Sequence, residues 1–234
     1  MVSKPPREAA TVQTLDRGLR VLHLLAGSPE GVTVSELASS LEVHRAIVYR
    51  LLATLAAHRL VIKGDDGRYR LWTGLVELAR GVIPRWRQIA WPELETLADE
   101  LGCTATLSVA SEDSCVTLLV AEPRTASLHV AYQPGLRHPL TVGASGKAIL
   151  AGRPSQPGEP SEIASARRRG IARSEGEIQD GAFAIAAPIL VEDWADASVA
   201  VVSFRRLDAA GERRVAEAAS RIASAAPAAI RPAS

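Results

Sequence analysis

The sequence predicts an α+β protein of two domains, a small three-helix domain closed by a β-hairpin in front and a mixed α/β sheet domain behind, joined by a helical linker. Three observations predict it. Apolar residues recur at helical steps between residues 12 and 58. An Asp-Gly turn then separates two short strand-like runs. From Cys103 onward the period changes to short β-branched stretches. The chain has 234 residues, 47% of them apolar and 23% charged, which suits ordinary buried cores and excludes a long disordered or fibrous protein. Aromatics reach only 4%, so the stacking surface of a single-strand nucleic-acid binder is absent. The expected boundaries are a flexible tail at 1–10, the front domain at 11–73, the linker at 74–92 and the rear domain at 93–234.

Each front element has its own signal. Val12, Leu15, Leu19, Leu22 and Ala26 mark a first helix that stops at Gly27-Ser28-Pro29. Thr33 and Glu36 have capping-box spacing, and Val34, Leu37, Ala38 and Leu41 form the stripe of a second helix. A third helix is expected from about His44 to His58. Val61-Ile62-Lys63 and Arg68-Tyr69-Arg70-Leu71 flank Gly64-Asp65-Asp66-Gly67 as the hairpin. Three helices followed by a hairpin make a winged helix-turn-helix, whose third helix enters the DNA major groove.

Behind Pro84 and Pro92, both expected to interrupt helix, strands are expected at Thr104–Ala110, Val116–Ala121, Leu128–Tyr132, Phe183–Leu190 and Ala197–Phe204. Helices are expected at Lys147–Ala151 and Ser161–Arg169. A last helix starts after Asp208 and turns Val215, Ala219, Ile222 and Ala226 inward.

Charge follows the same division. Residues 1–83 hold 11 Lys and Arg against 8 Asp and Glu, whereas 84–234 hold 16 against 18. On the third helix, at about 100° per residue, Val48, Leu51, Leu52 and Leu55 cluster on one side. Arg45, Ala46, Tyr49, Arg50 and Ala53 fall on the other. Arginine matches the O6/N7 edge of guanine, and the basic hairpin residues Lys63, Arg68 and Arg70 add a footprint for phosphate. Two readings stand at this point: a DNA-reading face, or a solvated helix face in a chain that carries 24 Arg and 3 Lys. His44, where the helix begins, is either a phosphate contact or a surface cap.

The segment Thr11-Val12-Gln13-Thr14-Leu15-Asp16-Arg17-Gly18-Leu19-Arg20-Val21-Leu22 resembles the opening helix of the IclR family of bacterial transcriptional regulators. Arg50-Leu51-Leu52-Ala53-Thr54-Leu55 is similar to that family's recognition-helix signature, and Gly64–Leu71 to its wing. In the rear half, Gly143-Ala144-Ser145-Gly146-Lys147-Ala148-Ile149-Leu150-Ala151 resembles its loop-to-helix motif. Glu175–Gly181 followed by Ile185-Ala186-Ala187-Pro188 matches it too. The resemblance implies a homodimer, often a dimer of dimers, with front domains on a palindromic operator in double-stranded DNA. The rear domains would be GAF-like and bind a small organic effector. Carried over, Ala144 and Ser145 would present amides or a hydroxyl to the effector, Ser174 would lie on the facing loop, Ala184 at the start of a core strand and Ser203 at the end of the next. This chain departs from the pattern at Ala46-Ile47, where a small hydroxylic pair is usual, at Arg59, where a turn glycine is usual, and in a shorter Arg153–Pro160 segment. Apolar Ala184 and uncharged Ser174 suit a larger acid or an aromatic compound.

Read without the resemblance, Gly143–Gly146 ahead of a helix is either plain capping or an anion site built from free N–H groups. It is not a phosphate-binding P-loop, because no Ser or Thr follows Lys147. Cys103 and Cys115 form neither a disulfide framework nor a metal cluster, and Arg167-Arg168-Arg169 reads as a solvated helix face. No cofactor, metal or catalytic residue is expected. The polar N-terminus and the lack of an 18-residue apolar run suggest a cytoplasmic protein that does not contact membranes. The expected function is a DNA-binding transcriptional regulator controlled by a carboxylate or aromatic effector. The alternatives are a regulator that ignores effectors and an enzyme whose front helices only dimerise it; the enzyme needs a nucleophile–base pair or a metal cluster, and neither is seen.

Overall fold

A computed structural model of the chain describes residues 12–80, 83–125 and 129–225. It divides into two compact units, 1–82 and 83–234. The tail at 1–10, Leu128 and Ala226 lie outside the described residues.

The first unit holds α1 (Gln13–Ala26), α2 (Val34–Ser40), α3 (Arg45–Ala57), a hairpin of β1 (Val61–Lys63) and β2 (Tyr69–Leu71), and α4 (Gly74–Ala79). The capping box is present: Thr33 N–H donates to Glu36 Oε2 at 2.7 Å, and Glu36 N–H donates to Thr33 Oγ1 at 3.3 Å. Val48, Leu51 and Leu52 of α3 pack with Leu37 and Leu41 into one core. The first helix buries a different stripe from the one its periodicity marks. Gly18, Val21 and Leu25 face the core, while Val12, Leu15 and Leu19 are 68%, 62% and 50% exposed. α1 carries two apolar phases, and the second packs on α3, with Val21 and Leu25 in one core with Val48, Leu51 and Leu52.

The second unit is a layered α/β/α body. α5 (Ile83–Leu101) runs through Pro92 without the expected break. The proline removes one backbone hydrogen bond, but Trp86, Ala90, Leu94 and Leu97 are buried in one core on both sides of it, which holds the helix on course. The sheet is antiparallel throughout among the described residues, in the order β5 (Arg137–Pro139), β4 (Ser114–Ala121), β3 (Thr104–Ser111), β8 (Trp194–Ser203), β7 (Phe183–Val191), β6 (Ala172–Glu175). Alternation of side chains sends Leu107, Leu119, Ile185 and Val199 to α5 and to α8 (Ala209–Ala225). Ala186 and Ala200 point to the opposite face, against α6 (Gly143–Ala151) and α7 (Ser161–Arg169). Asp208 accepts from the N–H groups of Ala210 and Gly211 and so starts α8 as expected.

Two edge strands escaped the sequence reading, and one expected strand is absent. Residues 129–132 form no strand, yet Val130 is fully buried and its carbonyl accepts from Thr104 Oγ1 at 2.5 Å. Burial, rather than sheet pairing, explains the apolar pattern there. The second helix of the rear unit also starts earlier than expected: Gly143–Gly146 is the first turn of α6, not a loop before it. Gly146 has to be glycine, because a Cβ there would overlap the Leu140 backbone.

Candidate DNA face and effector cleft

In α3 the burial of Val48, Leu51 and Leu52 leaves His44, Arg45, Ala46, Tyr49, Arg50 and Ala53 outside. Tyr49 is 56% exposed. The side chains of Arg45 and Arg50 have no hydrogen-bond or ion-pair partner among the described residues. His44 occupies the N-cap without a side-chain cap bond, so the first-turn N–H groups are left uncapped by it. Ile47 of the Ala46-Ile47 pair is half-buried against the core.

The hairpin is arranged otherwise than its charge suggests. Register pairs Lys63 with Tyr69 and Ile62 with Arg70. Lys63 is exposed, but it stands on the face of Tyr69, opposite to that of Arg68 and Arg70, so the three basic residues do not form one footprint. Both arginines turn back onto their own unit. Arg68 Nη1 donates to the Gly31 carbonyl at 2.9 Å and approaches Glu36 Oε2 at 3.4 Å. Arg70 Nη2 donates to the Glu30 carbonyl at 2.8 Å and to Asp66 Oδ2 at 2.6 Å. The Arg70 guanidinium, together with the Arg68 N–H, lowers the Asp66 pKa to about 2. Sequence reasoning could not see these bonds, because the carbonyls lie 37 and 40 residues upstream of their donors.

Arg59 adopts φ +57, the left-handed conformation that explains why glycine suits this turn. Gly74 packs beside it, and a Cβ there would lie 2.6 Å from the His58 carbonyl oxygen.

The rear cleft, of about 370 Å³, opens beside edge strand β6. Ser174 and Ala184 line it, with Phe183 and Leu207 supplying apolar wall. The other expected effector residues take up different positions. Ala144 is buried and its N–H donates to Ser174 Oγ at 3.0 Å. Ser145 is half-buried. Ser203 is buried, and its hydroxyl exchanges hydrogen bonds with the Arg205 backbone at 2.9 Å. The amides at the start of α6 are not free: Gly143 N–H donates to Glu177 Oε2 at 2.8 Å.

Glu177 and Lys147 are the residues that sequence reasoning missed as site components. Lys147, with its side chain 8% exposed, donates to Glu177 Oε1 at 2.6 Å and to Glu162 Oε2 at 2.5 Å. Burial alone would lower its pKa, but the two carboxylates outweigh this and raise it. The cleft arginines are also paired, Arg173 with Glu212 and Arg206 with Glu175, each at 2.5 Å. Arg206 in addition stacks on Phe183, 4.9 Å from the ring centre. Arg167 is no solvated charge: it bridges Glu159 and the carbonyls of Leu150 and Arg153, pinning the α6–α7 loop, whereas Arg168 and Arg169 are exposed. Cys103 and Cys115 are buried, and burial raises the Cys115 thiol to about 12. The described residues contain no His/Cys/Asp/Glu group able to hold a metal, and no described helix is long and apolar enough to cross a membrane.

Comparison with known proteins adds three findings. Residues 14–63 match the model of the IclR helix-turn-helix domain. The HTH-type transcriptional regulator BhcR of Paracoccus denitrificans is 30% identical over 160 residues, covering 62% of this chain and 52% of that protein. The DNA-binding transcriptional repressor YiaJ of Escherichia coli is 29% identical over 154 residues, covering 64% and 54%. The chain thus spans about half the length of these curated relatives. Among solved structures, an IclR transcriptional regulator from Alicyclobacillus acidocaldarius superposes with TM-score 0.81 at 22% identity, over 92% of this chain and 99% of that one. An IclR homologue from Microbacterium hydrocarbonoxydans, solved with 4-hydroxybenzoate, gives 0.76 at 24% identity, over 90% and 98%. At such identities the likeness shows a shared fold.

Proposed function

Because the chain belongs to the IclR family, we propose that it is a DNA-binding transcriptional regulator whose affinity for a palindromic operator is set by a small organic effector in the rear cleft. One observation carries the DNA half of this reading. The outer face of α3 presents Arg45, Tyr49 and Arg50 without intramolecular partners, which is how a helix looks when its counter-ions are to come from elsewhere. An unpaired guanidinium fork is ready for a guanine edge or a phosphate oxygen. Arg68 and Arg70 hold the wing in shape in this reading, and Lys63 is its phosphate contact.

The exposed stripe Val12, Leu15 and Leu19 on α1 supports a homodimer, since soluble monomers seldom leave such apolar faces open. In a dimer, two copies of α3 would enter major grooves about 34 Å apart. Effector binding that favours one spacing by about 1–3 kcal/mol would suffice for control. The effector half is supported by the 370 Å³ cleft with Ser174 and Ala184 in its wall and by the bound 4-hydroxybenzoate of the Microbacterium relative.

A gel-shift titration on the DNA flanking the gene tests the reading. Sequence-selective binding that weakens steeply with salt is expected. Binding that is indifferent to both sequence and salt would end it.

A further inference from the structure

Resting on the DNA-reading assignment above, we propose that Ala46 is a base-reading residue: its methyl group meets the 5-methyl group of one thymine in each operator half-site. The outer face of α3 is centred on this residue. At about 100° per residue, Ala46 points within about 10° of the direction opposite the mean of Val48, Leu51, Leu52 and Leu55, which pack in the core. Arg50 stands about 30° to one side of Ala46's line and Tyr49 about 70° to the other. A recognition helix laid in the major groove brings its most outward side chains nearest the base edges. In α3 that place belongs to an exposed alanine.

The chemistry of a methyl group excludes most of what a base edge offers. It neither donates nor accepts a hydrogen bond. Pressed against a purine N7 or a cytosine amine, it would leave that group stripped of water and unpaired. Thymine carries the only methyl group on the major-groove edges, and contact with it costs no polar group its partner. The next residue along, Ile47, is half-buried against the core and offers nothing in its place. Thr54, on the rim of the same face, donates its hydroxyl to the Arg50 carbonyl at 3.0 Å. Tyr49 and Arg50, three and four residues on, border Ala46 on the helix surface.

Arg50 also fixes where the thymine lies. Its guanidinium has no intramolecular partner among the described residues and matches a guanine edge. The four residues from Ala46 to Arg50 span about 6 Å of helix axis, against about 3.4 Å for one base-pair step. The thymine therefore stands within about three base pairs of the guanine that Arg50 reads.

The test selects duplexes from a randomised library on the full-length protein, then replaces each recurring thymine by uracil, which keeps every hydrogen-bonding group and lacks only the methyl. Affinities are read by fluorescence anisotropy. One buried methyl group is worth about fourfold, so replacing the matching thymine in both half-sites should weaken wild-type binding about tenfold. Ala46→Gly should bind the thymine and uracil duplexes within twofold of each other. That ratio is insensitive to lost helix stability, which falls on both duplexes alike. Ala57→Gly removes a methyl from the far end of the same helix and should keep the wild-type ratio. Should Ala46→Gly fail to fold by circular dichroism, Ala46→Ser, which sets a hydroxyl against the thymine, takes its place with the same expectation. The proposal is overturned if no uracil replacement costs the wild type threefold, if the Ala46 variant keeps the wild-type ratio, or if Ala57→Gly abolishes it as well. Failure to select any sequence defeats the regulator reading and this inference together, whereas a selected sequence indifferent to uracil defeats this inference alone.

Discussion

The arginines of the two units are used in opposite ways. On α3, Arg45 and Arg50 reach outward with nothing to neutralise them, while in the rear cleft Arg173, Arg206 and Lys147 each carry a carboxylate at 2.6 Å or less. A surface of the first kind is prepared for a polyanion, which brings its own charge and releases counter-ions on arrival. One of the second kind is electrostatically complete, and a ligand must either displace an internal bond or avoid the charged positions altogether. The wing stands between these cases. It is basic in sequence, yet Arg68 and Arg70 are occupied by Gly31, Glu30 and Asp66.

Four perturbations sharpen this contrast, beginning with the largest. Gly146→Ala should cost the rear unit about 3 kcal/mol in denaturant unfolding, because the new methyl meets rigid Leu140 backbone; a shift in midpoint below a third of that would mean the α6 crossing is looser than described. Next, Arg68→Ala combined with Arg70→Ala should lower the melting temperature of the front unit while reducing operator affinity less than tenfold. A larger affinity loss without destabilisation would return the wing arginines to the DNA-reading set.

A smaller effect concerns acid. Asp66 has its pKa lowered from 3.8 to about 2, chiefly by the Arg70 bond. The folded form therefore holds its proton less tightly than the unfolded chain, and the contribution of this carboxylate is present above pH 3.8 and lost as pH falls toward about 2. Asp66→Asn should remove that part of the acid sensitivity of the front unit, read by circular dichroism between pH 4 and 2. The smallest effect is expected of Arg59→Gly. Relief of the left-handed backbone, offset by glycine's chain entropy, should stabilise by less than about 1 kcal/mol, and a clear loss would show that the exposed Arg59–Glu77 pair matters more than φ.

Where the local pattern decided the outcome, the fold was legible. The Thr33–Glu36 box, the buried face of α3 and the central strands β7 and β8 follow from spacing alone. Longer-range choices were not. Nothing local tells α1 which of its two apolar phases will meet α3, and edge strands such as Ala172–Glu175 are too short and polar to read as sheet. The site divides in the same way. Arg45, Tyr49 and Arg50 are exposed as the helical angle requires. The fates of Arg68, Arg70 and Lys147, by contrast, depend on partners 15 to 40 residues away. At the start of α6, where the motif leaves plain capping and an anion site equally open, the Gly143 N–H is taken by the chain's own Glu177.

The most direct test of the DNA-reading face compares operator binding by the wild type and by Arg45→Ala combined with Arg50→Ala, measured by fluorescence anisotropy across a salt series. Two lost arginine contacts should cost at least about a hundredfold in affinity, near 2.7 kcal/mol, and flatten the salt dependence while the melting temperature stays unchanged. Wild-type affinity and an unaltered salt slope in the double variant would contradict it.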